Sequence, residues 1–199
     1  MIVIVDYGMG NLRNVRRAVE SLGYMAHVSN DTSVIADAEK VILPGVGAFG
    51  EAVKRIEDLA LRKPLVSHIE RGKPLLGICL GMQLLYEKSE ENPGAVGLSV
   101  LKGEVKKFDS GVKVPHIGWN DVLPSTNSTI FGTMSESEQG CFFFVHSYYV
   151  PDVPEGVGVT TYGTTFMSAV QKDNVMGVQF HPEKSQTAGL DLLKRFVEC

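Results

Sequence analysis

At 199 residues and 44% hydrophobic content, the chain carries enough apolar surface for one compact α/β domain spanning residues 1–199. A net charge of −4, with Lys and Arg scattered along the sequence, provides no basic face for nucleic acid or an anionic membrane. The three cysteines, Cys79, Cys141 and Cys199, are odd in number and lack zinc-like pairing, and the apolar start before Asp6 is too brief for a signal peptide or a span; the expectation is a soluble cytoplasmic protein with no metal and no cofactor.

In chain order, the first half alternates short β-branched runs with helical patterns, the mark of βαβ units around a largely parallel sheet. "IVIVD" (Ile2 to Asp6) reads as a buried strand. After it, Leu12, Val15, Val19 and Leu22 recur at helical spacing until Gly23, a C-terminal stop. "MAHVS" (Met25 to Ser29) and "KVILPG" (Lys40 to Gly45) are the next strands. Helices are expected from Phe49 to about Leu59 and from Leu65 to Arg71, then the strand "PLLGIC" (Pro74 to Cys79) feeding an amphipathic helix that starts near Leu80. The second half is β-rich: Cys141 to Val150, Gly156 to Gly163, Phe166 to Gln171 and Val175 to Phe180, with Asp173-Asn174 as a hairpin turn. The polar stretch from Pro124 to Gln139 reads as a mobile loop, and "GLDLLKRFVEC" as a closing helix.

Chemistry concentrates at Cys79. "GICLG" places it in a G-x-C-x-G pattern at a strand-to-helix junction, the thiol counterpart of a nucleophile elbow. Glycines two residues either side relieve the clashes of a sharp turn, and unpaired N–H groups at a helix start favour a thiolate. Two glycines at a tight turn beside an ordinary core cysteine is the competing reading. Of the five histidines, His27 falls in an edge region and His68 on a polar helix. His181 follows the strand "VMGVQF" and precedes Pro182-Glu183; the proline biases it to extended backbone, and a glutamate two residues on can reach and orient its imidazole. "LPGVGAFGE", at the end of a strand where open α/β sheets place their ligand crevice, brings Gly45 and Gly47, whose N–H groups with that of Leu80 could hold an oxyanion. Gln83, four residues beyond Cys79, shares its face of a helix. "DYGMG" lacks the third glycine of a dinucleotide fingerprint, with Arg13 in its place.

Together, "PGVG", "GICLGMQLL" and "GVQFHPEKS" resemble the class I, triad-type glutamine amidotransferase family over nearly the whole chain. That resemblance implies a three-layer, flavodoxin-like α/β domain with a mostly parallel sheet and an antiparallel β-meander in the second half. It implies Cys79 as nucleophile, His181 as proton carrier and Glu183 as its support; Val46, Gly47 and Leu80 at the oxyanion hole; and Gly45, Gly47, Gln83, Glu91, Ser147 and Tyr148 around the substrate, L-glutamine. "DYGMGNLRNV", "PGVGAFGEA", "PHIGWN" and "FFVHSY" are similar to the branch serving as glutaminase subunits of imidazole glycerol phosphate synthases. This branch implies a heterodimer with a cyclase of (β/α)8 barrel type, met by Trp119, Asn120 and Lys184. The glutaminase subunit of another synthase, for anthranilate or aminodeoxychorismate, stays as an alternative, although Val46 and "PHIGWN" argue against it. A non-enzymatic flavodoxin-like thiol sensor accounts for Cys79 but not for His181 and Glu183.

Overall fold

The structure is a computed structural model that describes residues 1–125, 128–132 and 140–199. The first half runs β1 (Ile2–Val5), α1 (Leu12–Ser21), β2 (Ala26–Ser29), α2 (Thr32–Asp37), β3 (Lys40–Gly45), α3 (Phe49–Asp58), α4 (Arg62–Glu70), β4 (Leu75–Cys79) and α5 (Leu80–Gln83). The second half runs β5 (Lys88–Ser89), β6 (Glu104–Lys107), β7 (His116–Pro124), β8 (Gly140–His146), β9 (Tyr148–Tyr149), β10 (Gly156–Tyr162), β11 (Thr164–Lys172), β12 (Val175–Val178) and α6 (Gln186–Glu198). No helix among the described residues is long and apolar enough to cross a membrane.

The main sheet has the order β2-β1-β3-β4-β12-β11-β10-β7-β8. From β2 to β12 every pairing is parallel, and from β12 to β8 every pairing is antiparallel. Helices α1 and α6 cover one face through Val15, Val19, Leu192 and Phe196; α2, α3 and α4 cover the other through Ile35, Phe49, Ile56 and Leu65. This is the three-layer arrangement expected, and it explains why β1, β3, β4 and β12 are almost uniformly apolar: both of their faces are buried. Because β3, β4 and β12 lie side by side and point the same way, Gly45 pairs with Cys79 and Ile78 with Val178. The turns that follow all three strands therefore open on one edge of the sheet.

Several elements differ from expectation for local reasons. Helix α2 is too short for a periodic signal; its start is held by the Asp31 carboxylate, which accepts from Ser33 N at 2.8 Å and Val34 N at 3.3 Å. The helix after Cys79 is one turn, not the amphipathic helix expected from near Leu80. Residues 80–86 are buried all round, so there is no wet face along which to extend, and tight bonds from Leu85 N to Met82 O and Tyr86 N to Gln83 O end it. β7 is a nine-residue strand that proline at both ends and Gly118 (φ 138°) conceal in the sequence. The strand expected over Cys141 to Val150 breaks at Ser147, and β9 leaves to join β6 and β5 in a small second sheet. Residues 126–127 and 133–139 of the expected mobile loop lie outside the described residues; within the described part, Ile130 and Phe131 are buried in the core.

Candidate active site

Cys79 ends β4 with φ 56° and ψ −110°, a region that residues other than glycine rarely occupy. The glycines on either side make this turn possible. A Cβ on Gly77 would lie 2.7 Å from the Gly81 carbonyl oxygen, and one on Gly81 only 1.7 Å from the Leu43 carbonyl oxygen. With α5 a single turn, its dipole is small, and the strained elbow rather than a long helix defines the thiol's setting.

His181 reaches the thiol from the end of β12, 102 positions later in the sequence. Its N–H donates to Phe143 O of β8 at 2.9 Å, its carbonyl accepts from Ser185 Oγ at 2.6 Å, and Phe143 N donates to the same hydroxyl at 3.0 Å. His181 itself is extended, as expected, but Pro182–Lys184 form a 3-10 turn rather than a continued strand. The turn brings Glu183 back so that His181 Nδ1 lies 2.9 Å from Glu183 Oε1, with the two side chains only 3% and 1% exposed. A carboxylate on Nδ1 keeps the proton there and leaves Nε2 for the thiol. Burial alone would lower the pKa of His181, but the hydrogen bonds and charges of Cys79 and Glu183 outweigh it and raise it to about 10. The geometry therefore favours an imidazolium facing sulfur, ready to give a proton to a leaving group.

A cleft of about 290 Å³ opens over this pair. Val46, Gly47, Leu80, Gln83, Glu91, Ser147 and Tyr148 line it, as do Pro115, Val145, His146 and Lys184. Val46 lies beyond the end of β3, in the turn, and is 42% exposed; Gly47 beside it has φ 103°. Gly45 stands behind the cleft wall, where a Cβ would lie 2.2 Å from the Tyr7 hydroxyl. The Gln83 amide nitrogen is engaged within the protein, with Tyr148 O at 3.1 Å and Gln179 Oε1 at 3.0 Å, so a bond from Gln83 to a ligand must come from its oxygen. Glu91 is tied to the start of α3, accepting from Phe49 N at 2.7 Å, which fixes a carboxylate at the cleft rim. His146 is no rival base: burial pushes its pKa down to about 3.

Trp119 is half exposed on β7, with Ile117 and Leu123 also exposed along that strand. Phe143 joins it to the cleft mouth: its ring centroid is 5.9 Å from that of Trp119, and Lys184 Nζ lies 5.7 Å over its face. Asn120 turns elsewhere, donating to Thr161 O at 3.1 Å. His27 is exposed on the edge strand β2, whereas His68 is fully buried and bonds Pro74 O at 3.0 Å. Sequence reasoning missed Gln179, whose Nε2 lies 3.7 Å from Cys79 Sγ, and Ser185, which clamps His181. A polar residue inside "VMGVQF" was the available signal for Gln179. Ser185 left none, because the partner that ties its hydroxyl to the sheet, Phe143 N, comes from β8.

The Glutamine amidotransferase class-I family matches residues 3–199. Among curated proteins, the imidazole glycerol phosphate synthase subunit HisH of Aquifex aeolicus is 51% identical, over 98% of this chain and 94% of that protein. The subunit of the same name from Methanothermobacter thermautotrophicus is 45% identical over 100% and 98% of the two chains. Among solved structures, a crystal structure of a glutamine amidotransferase superposes with a TM-score of 0.78 at 20% identity, covering 100% of this chain and 98% of that one. PurLQS from Thermotoga maritima gives 0.77 at 21% identity, covering 99% and 97%; likenesses this distant speak for the fold alone. With its elbow cysteine, its buried His-Glu pair and near full-length identity of about one half, the chain belongs to the class-I glutamine amidotransferases, in the family of the imidazole glycerol phosphate synthase subunit HisH.

Proposed function

We propose that residues 1–199 act as one glutamine amidotransferase domain that hydrolyses L-glutamine and supplies the ammonia to a cyclase partner, as a subunit of imidazole glycerol phosphate synthase in histidine biosynthesis. The observation that carries this reading is the meeting of Cys79 on its strained turn with the His181-Glu183 pair, both pair members almost fully buried. Cys79 sulfur attacks the side-chain amide carbon, and the carbonyl electrons move onto oxygen, toward the N–H groups of Gly47 and Leu80. His181 gives its proton to the departing nitrogen, so ammonia leaves and a glutamyl thioester remains. It then takes a proton from water, whose oxygen attacks the thioester, and returns that proton to sulfur as glutamate departs. Glu183 keeps the imidazole oriented and stabilises its charged form in both steps. Glu91, fixed at the rim, is suited to the ammonium of the substrate, and Gln83, Ser147 and Tyr148 to its backbone end.

For the partner we propose a (β/α)8 barrel cyclase, docked over Trp119, Lys184 and Asn120. Three exposed apolar side chains on β7 next to the cleft mouth support such a covered face. Three free thiols support a cytoplasmic setting. The test is a glutaminase assay of the chain alone and with the purified cyclase and its nucleotide ligand. Glutamate release that depends on Cys79 and rises with the cyclase is expected; equal turnover with and without it would refute the partnership.

A further inference from the structure

Two buried histidines outside the triad form a bridge that runs in one direction. Asn120 Nδ2 donates to Thr161 O and, at 3.3 Å, to His116 Nε2. His116 must then carry its proton on Nδ1, which faces His146 Nε2 at 2.9 Å. His146 in turn carries its proton on Nδ1, 2.8 Å from Tyr148 O. That carbonyl also accepts from Gln83 Nε2, whose second hydrogen goes to Gln179 Oε1, and Gln179 Nε2 ends the chain at Cys79 Sγ. Every donor meets an acceptor only while both rings are neutral.

The surroundings keep them so. His116 stacks on Tyr162 and Phe144, with ring centroids 4.0 and 4.9 Å away, and His146 packs against Phe108 and Phe166. Burial holds His116 down to about 4 and His146 to about 3. Aromatic side chains alone could fill this space, so a fully satisfied polar bridge within it calls for a role in specifying geometry.

We propose that His116 and His146 are positioning residues for glutamine hydrolysis: their bridge anchors the Tyr148 carbonyl, and with it Ser147, Tyr148 and Gln83 of the cleft wall, relative to Cys79. The inference rests on the glutaminase reading above. Its outer end, Asn120, is the sequence neighbour of exposed Trp119, so the same chain joins the proposed docking face to the wall of the substrate cleft.

The experiment uses the complex with the cyclase. His116→Phe keeps the stacking and removes both hydrogen bonds, while His116→Gln retains one donor and one acceptor. For His116→Phe, kcat/KM for glutamine should fall roughly tenfold to a hundredfold, the range expected when a buried polar partner is removed, with the loss mainly in KM, and His116→Gln should recover most of it. A purely structural role would lower the folded fraction and hence kcat, leaving KM unchanged. Imidazole nitrogen NMR of the wild-type chain, independent of activity and of variant folding, should show both rings neutral with the proton on Nδ1. An active wild type with KM unchanged in folded His116→Phe, or either ring protonated on Nε2, would overturn the positioning role alone. A wild-type complex without glutaminase activity would overturn the glutaminase reading and this inference with it.

Discussion

Replacing Glu183 with glutamine separates the charge of the His181 partner from its shape. The pair is 2.9 Å apart, and unit charges at that distance attract by about 6 kcal/mol at an effective dielectric constant of about 20. Desolvation of two almost fully buried groups offsets part of this, and removing one member of such a pair costs roughly 3–5 kcal/mol. Glutamine cannot restore the balance. If its oxygen faces His181 Nδ1, its amide nitrogen occupies the place of Glu183 Oε2, which has no partner among the described residues; if it is flipped, a donor opposes a donor. Because Glu183 stabilises the imidazolium that gives its proton to the leaving nitrogen, kcat/KM should fall between about a hundredfold and a few thousandfold. The raised pKa of His181 also has a stability consequence. Its contribution is fully present below about 6.5, the ordinary histidine value, and is lost as pH rises through about 10. Steady-state kinetics of the complex and denaturant unfolding at pH 6 and pH 10 measure both effects. A folded Glu183→Gln protein whose kcat/KM stays within fivefold of wild type, and whose stability depends on pH as before, would refute the reasoning.

Cys79→Ala and Cys79→Gly should both abolish glutamate release, but glycine should be the more stable of the two by about 1 kcal/mol, or about 2–4 °C in Tm, because it occupies φ 56° without strain. Calorimetry showing alanine the more stable would remove strain from the account. Gly81→Ala forces a Cβ into the Leu43 carbonyl and should yield insoluble protein or a loss of about 3 kcal/mol or more, read from urea midpoints. Glu91→Gln keeps an acceptor for Phe49 N but loses the charge, so KM for glutamine should rise about tenfold or more while stability changes by less than about 1 kcal/mol; an unchanged KM would free Glu91 from substrate recognition. Trp119→Ala should weaken cyclase binding in titration calorimetry by at least about tenfold and leave the glutaminase activity of the isolated chain unchanged.

How much of the site could be read in advance depended on whether the signal was local. Cys79 was legible because a sharp turn needs glycine at fixed offsets, and the backbone shows why: Gly77 and Gly81 each press against a carbonyl. Glu183 was legible because it is two residues from His181, although the chain covers that distance by a 3-10 turn and not by an extended strand. Gln83 was placed by its spacing from Cys79 and Glu91 only by the family resemblance; the helix after Cys79 is a single turn ending at Gln83, and both residues line the cleft, Glu91 by way of β5 and its bond to Phe49.

By itself the sequence determined the βαβ pattern of the first half, whose central strands β1, β3 and β4 are apolar because both faces are covered, and the residue types that carry thiol chemistry at a turn. Only the tertiary structure decided which distant turns share an edge. Parallel pairing of β3, β4 and β12 aligns Gly45, Cys79 and the approach to His181, and that order is set by how helices pack on both faces rather than by any local pattern. The same holds for Gln179, Ser185 and the His116-His146 bridge. Gln179 meets Cys79 100 residues away only because β12 lies beside β4, Ser185 meets Phe143 only once β8 packs against the turn after β12, and His116 meets His146 only across the antiparallel pair β7 and β8.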